Sequence, residues 1–144
     1  GVKRIVGVVS SRTIVRVDAK DKEKKIIRYN KIIKEACEQS KRSFLPQFED
    51  IIDYKNIGKY ISNHNYIAYE KEALNESNLF DKLCMIKPHE SISILVGAEG
   101  GFSEDEVFFS NTLGFENVSL GKCILRSETA AIYFMSILNF TLSR

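Results

Sequence analysis

Apolar residues along the 144-residue chain fall into short β-branched runs separated by stretches of helical period. "RIVGVVS" (4–10) has the length and branching of a strand, and "RTIVRVD" (12–18) either extends it or forms a loop. From Lys24 to Ser40 the positions Ile26, Ile27, Ile32, Ile33, Ala36 and Cys37 recur at three-to-four spacing, which predicts a helix. "QFEDI" (47–51) after Pro46 is a short strand, "YKNIGKYIS" a short helix and "NYIAYE" (65–70) another strand. Leu79 to Ile86 is weakly helical or irregular and is closed by Pro88. "SISILVG" (91–97) lacks strict alternation, as strands covered on both faces do. A helix from about Glu104 to Leu113, a last strand "NVSLG" (117–121) and a helix from about Thr129 to Leu142 complete the pattern. The alternation predicts an α/β fold, a mainly parallel sheet with helices on both faces.

The strand ending at Gly97 runs into Ala98-Glu99-Gly100-Gly101, a side-chain-poor bend at the carboxyl edge of the sheet, where open α/β folds bind ligands. Ser103 and Glu106 form a capping box, so a helix starts at once. The spacing matches neither GxGxxG nor GxxxxGK[ST]. Glu104, Asp105 and Glu106 already occupy the positive end of that helix, which predicts a neutral or cationic ligand rather than a phosphate. An ordinary glycine turn into a capped helix fits the same residues. A second segment, "SLGKCILRSETAAIYFMSIL" (119–138), repeats the order strand, glycine, loop, helix, and two such strand ends can wall one cleft. Its helix is apolar nearly all round, which means deep burial or a subunit interface.

Charge sharpens the picture. The net charge of +2 divides unevenly: residues 1–45 hold 13 Lys and Arg against 5 Asp and Glu, the remainder 8 against 14. A basic half points to a polyanionic partner, although a solvated helix face explains each lysine singly. Cys37, Cys84 and Cys123 form no CxxC pair, so no disulfide framework or thiolate zinc site is encoded, and a cytoplasmic location is expected. No membrane span, signal segment or metal-ligand spacing is present in the pattern. His64 and His89 read as bystanders, and Ser10, Ser11 and Ser127 lack a His/Asp constellation for hydrolysis. The opening at Gly1, directly into a strand, reads as a piece of a longer protein.

"LVGAEGGFSEDEV" (95–107) followed by "VSLGKCILRSETAA" (118–131) resembles the paired signature of the RsmE-type ribosomal RNA uridine N3-methyltransferases of the SPOUT class. In that family the motifs read approximately GPEGG and LG-x-x-ILR-[ST]-ETA. "EACEQSKR" (35–42) and "SSR" (10–12) resemble two further family segments. Ala98 stands where the family has proline, Ser11 where it has glutamate, and Lys41 where glycine is common. The resemblance implies a SPOUT methyltransferase domain over 1–144, without the family's N-terminal PUA-like barrel and the first strand and helix of its catalytic domain. It further implies a C-terminal deep trefoil knot, a homodimer packed on the knot helices, and ribosomal RNA or the small ribosomal subunit as partner.

The implied cofactor is S-adenosylmethionine, held by Tyr69, Glu70, Val96, Gly97, Glu99, Gly100, Gly101, Leu120, Gly121, Ile124, Leu125 and Thr129. Methylating uracil at N3 requires removal of a proton, or stabilisation of the anion as it forms. Glu128 is the candidate acceptor or orienting group, Arg126 or Arg12 the candidate charge stabiliser, and Arg12 and Arg42 candidate RNA contacts. The competing reading is that Arg126 and Glu128 pair to brace the loop and that Arg42 is a surface charge. The competing functions are a SPOUT enzyme acting on transfer RNA and a non-catalytic RNA-binding or dimerisation module.

Overall fold

The computed structural model describes residues 1–13, 18–69 and 79–142. They divide into two compact units, Gly1–Val9 with Thr13–Asn56, and Ser10–Arg12 with Ile57–Arg144.

The first unit holds β1 (Arg4–Val9), α1 (Ala19–Gln39) and β2 (Gln47–Asp53). β1 and β2 pair in parallel, with a register shift between Ile5 and Val6. α1 starts five residues before the apolar pattern does, because the Asp18 side chain accepts the Asp21 N–H and caps it. Only Cys37 of the predicted stripe is buried, and Ile27 and Ile32 stay exposed. The helix is instead pinned by Asn30, whose amide donates to the Phe48 carbonyl (2.9 Å) and accepts the Phe48 N–H (2.9 Å), with the Tyr29 ring against that of Phe48 at 4.7 Å. Of "RTIVRVD", residues 14–17 lie outside the described residues.

α1 ends in a Schellman motif. The Arg42 N–H donates to the Cys37 carbonyl and the Lys41 N–H to that of Glu38, which places Lys41 in the left-handed region at φ 53. The frequent glycine at this position in the resembled family has a physical reason here, since a left-handed residue bearing a Cβ is strained.

The second unit carries β3 (His64–Ala68), α2 (Leu79–Cys84), β4 (Ile92–Val96), α3 (Glu104–Thr112), β5 (Glu116–Val118) and α4 (Ser127–Leu142). A 3-10 stretch, Tyr54–Tyr60, leads the chain into it. The strands are all parallel, in the order β4-β3-β5. β3 is central, and its residues Asn65, Tyr66 and Ile67 are buried. The Asn65 side chain is satisfied by the backbone N–H and carbonyl of Ser62. The core gathers Tyr66, Leu79, Leu83, Ile86, Val118 and Phe134, so the segment read as weakly helical or irregular is α2, anchored by Leu79 and Leu83.

Two turns deserve their residues. Lys87-Pro88-His89-Glu90 closes through the Glu90 N–H and the Lys87 carbonyl, with His89 left-handed at φ 71, as the third residue of a type II turn must be. α3 ends in a second Schellman motif, with Phe115 N–H to Ser110, Gly114 N–H to Asn111, and Gly114 at φ 87. His64 is no bystander to the fold: it opens β3 and its Nε2 meets Glu90 Oε2 at 2.8 Å. Hydrogen bonding to His64 and to the Lys87 N–H, with the nearby charges of both residues, holds the Glu90 carboxyl below the usual range.

The expected architecture of parallel strands and helices is present as two parallel ladders, one in each unit. α4 begins at Ser127, two residues earlier than its apolar pattern indicates. Its burial is narrower than the sequence implied: Ala130, Phe134 and Thr141 are buried, while Ile132, Tyr133, Phe140 and Leu142 are exposed. Among the described residues no helix is long and apolar enough to cross a membrane.

Candidate cofactor cleft and its neighbours

The chain leaves all three strands of the second unit at the same edge. β3 ends at Ala68, β4 at Val96 and β5 at Val118, and the residues that follow each line one cleft of about 580 Å³. β4 and β5 flank β3 on opposite sides, so the cleft sits where the strand order reverses, the usual ligand position of an open α/β sheet. Its volume is that of a small-molecule site.

The first wall is the bend. Gly101 N–H donates to the Ala98 carbonyl at 2.8 Å, closing the turn Ala98-Glu99-Gly100-Gly101 without the family's proline. Gly97 suits the close packing here: a Cβ on it would lie 3.2 Å from the Gly101 backbone and from the Phe102 ring, so the bend would have to give by a few tenths of an ångström. The second wall is the loop after β5. The Ser119 hydroxyl accepts the Gly121 N–H (3.1 Å), folding the loop back as Gly121 takes φ 120. Ser127 then ties the walls together by donating its hydroxyl to the Gly97 carbonyl. The third wall is Ala68 and Tyr69, joined to β5 by the Tyr69 N–H and the Val118 carbonyl.

The capping box read from the sequence is present in full, with both reciprocal bonds between Ser103 and Glu106. Glu106 does more than cap. Its Oε2 accepts the Ser103 N–H (2.9 Å) and its Oε1 the N–H of Ser11 (2.7 Å). Burial alone would raise its pKa, but the hydrogen bonds from Ser103 and Ser11 outweigh this and hold it below the usual value.

Of the expected cofactor residues, Tyr69, Val96, Gly97, Glu99, Gly100, Gly101, Leu120, Gly121, Ile124 and Leu125 all line the cleft, together with Arg126. Glu70 lies outside the described residues. Glu128 and Thr129 are not among the lining residues, because α4 starts early and carries both into its exposed first turn. No ion pair joins Arg126 to Glu128, so the bracing pair weighed from the sequence is not seen among the described residues. Arg126 instead lends its backbone carbonyl to the Ala130 N–H, the first bond of α4. Arg12 donates to the Gly100 carbonyl, and Arg42, in the first unit, to the Val2 carbonyl (2.9 Å).

Sequence reasoning missed Ala68, Ser119, Ser127 and Ala130 in the lining. Ser127 was legible as a polar residue inside the second motif; its bond to Gly97, thirty positions away, was not. Among the described residues no group of three or more His, Cys, Asp and Glu could hold a metal ion.

The family described as RNA methyltransferase domain matches residues 1–139. A ribosomal RNA small subunit methyltransferase E from Mesomycoplasma hyopneumoniae is 37% identical over 118 residues, covering 81% of this chain and 49% of the relative. Its counterpart from Bacillus subtilis is 31% identical over 144 residues, covering 97% and 56%. The chain spans about half the length of these curated relatives. Among solved structures, the ribosomal RNA small subunit methyltransferase E of Neisseria gonorrhoeae, bound to S-adenosyl methionine, superposes with TM-score 0.81 at 32% identity over 97% of this chain and 55% of that one. A match over nearly the whole sequence, with a cleft walled by both signature motifs, shows that the chain belongs to the RNA methyltransferase domain family, among its RsmE-type members.

Proposed function

We propose that this chain is the SPOUT domain of an enzyme that methylates N3 of a uridine in small-subunit ribosomal RNA, using S-adenosylmethionine. The observation that carries the reading is the cleft at the three strand ends, walled mainly by backbone and small residues. The residues fit the cofactor. Gly97, Gly100, Gly101 and Gly121 line the cleft with backbone alone, and among the described residues the lining holds one carboxylate, Glu99, and one cation, Arg126, in otherwise neutral surroundings. Ile124 is 82% exposed, apolar surface that a bound base would cover.

When bound, the cofactor supplies an activated methyl group on a sulfonium centre. The peptide groups of Val96–Gly101 and of the loop from Leu120 to Leu125 would hold its adenosine, with Leu120, Ile124 and Leu125 against the base; Tyr69 adds a wall of the cleft, and Glu70 and Thr129 complete the set of cofactor residues in this reading. Glu128 accepts the N3 proton of uracil or orients the base, and its exposed place leaves it accessible to an RNA substrate. Arg126 stabilises the negative charge that develops on the base. Arg12 and Arg42 contact RNA phosphates.

The same reading includes the trefoil knot and a homodimer. The dimer is supported by the exposed apolar side chains of α4, Ile132, Tyr133, Phe140 and Leu142, which a second copy would cover.

Calorimetric titration of S-adenosylmethionine onto the chain, with sedimentation of the same sample, tests the cofactor and the dimer together. A folded chain that takes up no cofactor contradicts the reading. Glu128→Gln in the full-length enzyme keeps cofactor affinity and loses turnover on small-subunit ribosomal RNA; unchanged turnover removes Glu128 from the chemistry.

A further inference from the structure

A carboxylate that is 7% exposed needs donors, and a capping box supplies Glu106 with one, the Ser103 N–H. The other oxygen is taken by the Ser11 N–H, from a segment 95 positions away in sequence. Capping a helix does not require that bond. It is short and charge-assisted, the stronger class of hydrogen bond.

What it holds is the next residue. Arg12 follows Ser11 directly, and its guanidinium donates to the Gly100 carbonyl in the turn that forms the first wall of the cleft. Its aliphatic stem covers the same residue: a Cβ on Gly100 would lie 3.4 Å from both Cβ and Cδ of Arg12. Ser10–Arg12 therefore belongs with the second unit, although the strand before it does not. Glu106, Ser11, Arg12 and Gly100 form an unbroken chain of contacts that ends on the cleft lining.

We propose that Glu106 is a positioning residue for the cofactor cleft: it clamps the Ser10–Arg12 segment so that Arg12 braces the Ala98–Gly101 turn from outside. The clamp takes the backbone N–H of Ser11 and also its hydroxyl, so the serine that stands where the resembled family has glutamate adds a donor that a carboxylate would not supply. The consequence for affinity rests on the cofactor reading above; the consequence for the turn does not.

Glu106→Gln, Ser103→Ala and Arg12→Met are compared in the 144-residue chain. Amide hydrogen exchange over residues 97–101 is followed without ligand, and S-adenosylmethionine affinity is measured by calorimetry. Glu106→Gln and Arg12→Met both speed exchange in the turn and raise Kd about tenfold, the loss expected for one charge-assisted bond. Combined, the two substitutions weaken binding no more than either alone. Ser103→Ala removes the hydroxyl of the same cap and lowers the melting temperature, but leaves turn exchange and Kd at the wild-type values. If Glu106→Gln lowers the melting temperature only, as Ser103→Ala does, the positioning role is overturned. Should Glu106→Gln not fold, Arg12→Met decides alone, and unchanged exchange in 97–101 overturns the brace. A wild-type chain that takes up no S-adenosylmethionine defeats the cofactor reading, and the exchange data still decide the clamp.

Discussion

Exchanging the residues at two helix ends isolates one physical quantity, the cost of a left-handed backbone at a residue with a side chain. α1 and α3 end in the same pair of hydrogen bonds, but the left-handed position is Lys41 in one and Gly114 in the other. Left-handed backbone costs an L residue roughly 1–2 kcal/mol. Glycine avoids that cost but frees the unfolded chain by roughly 0.4–1 kcal/mol. Lys41→Gly should therefore stabilise the protein by about 1 kcal/mol, and Gly114→Ala should destabilise it by a similar amount. Neither substitution brings a steric complication, because Lys41 is exposed and a Cβ on Gly114 meets nothing within 4 Å.

For a chain of this length about 1 kcal/mol shifts the melting temperature by about 3 °C. Thermal melts and urea titrations of the two variants and their combination provide the measurement, with the double variant returning close to wild type. The two sites lie in different compact units. Separate melting of the units would appear as two transitions moving in opposite directions, with the same signs. A Lys41→Gly protein that melts no higher, or a Gly114→Ala protein that melts no lower, refutes the strain argument.

Gly97→Ala presses a methyl group onto the Gly101 backbone, and overpacking of this kind costs about 1–3 kcal/mol; calorimetry should show weakened S-adenosylmethionine binding, whereas Gly58→Ala, whose Cβ meets Leu113 at an ordinary 3.6 Å, leaves binding intact. Phe134→Ala empties a fully buried site between α2, β3 and α4, and should cost about 3–5 kcal/mol in denaturant titration. Glu106 has a folded-state pKa below its unfolded value, so its contribution is present above the unfolded value, near 4.5, and is lost as pH falls through the folded one. Melting temperature against pH should thus fall less steeply below about pH 5 in Glu106→Gln than in wild type.

Local chemistry made much of this fold legible. Ser103 and Glu106 fixed the start of α3 because a capping box involves residues three apart, and β1 followed from a β-branched run of strand length. Asp18 was the missed signal for the start of α1, since apolar periodicity begins only where the helix meets β2. The cleft was legible for a related reason: its walls follow strand ends rich in glycine, and topology brings such ends to one edge. The contacts that tie the site together were not. Ser127 to Gly97, Arg12 to Gly100 and Ser11 to Glu106 are 30, 88 and 95 positions apart, and no periodic pattern encodes them.

α4 shows where pattern reading stops for a different reason. Hydrophobicity around a helix says that water must be excluded from it and leaves open what excludes the water. Phe134 answers from within the chain, packing in one core with Leu79 and Leu83 of α2, and Ala130 is buried at the cleft, while Ile132 is 67% and Phe140 64% exposed. Covering such side chains is favourable by about 25 cal/mol for each Å² removed from water. Ile132 and Phe140, two and six positions from the buried Phe134, lie on the opposite face of α4, so a second copy packing there would cover the side of the helix that the core of the second unit leaves to solvent. Dimerisation and stability are then linked by mass action, and the melting temperature should rise with protein concentration. A melting temperature constant across a hundredfold range of concentration would instead mean that the exposed face of α4 is tolerated in water and that the proposed dimer draws little energy from it.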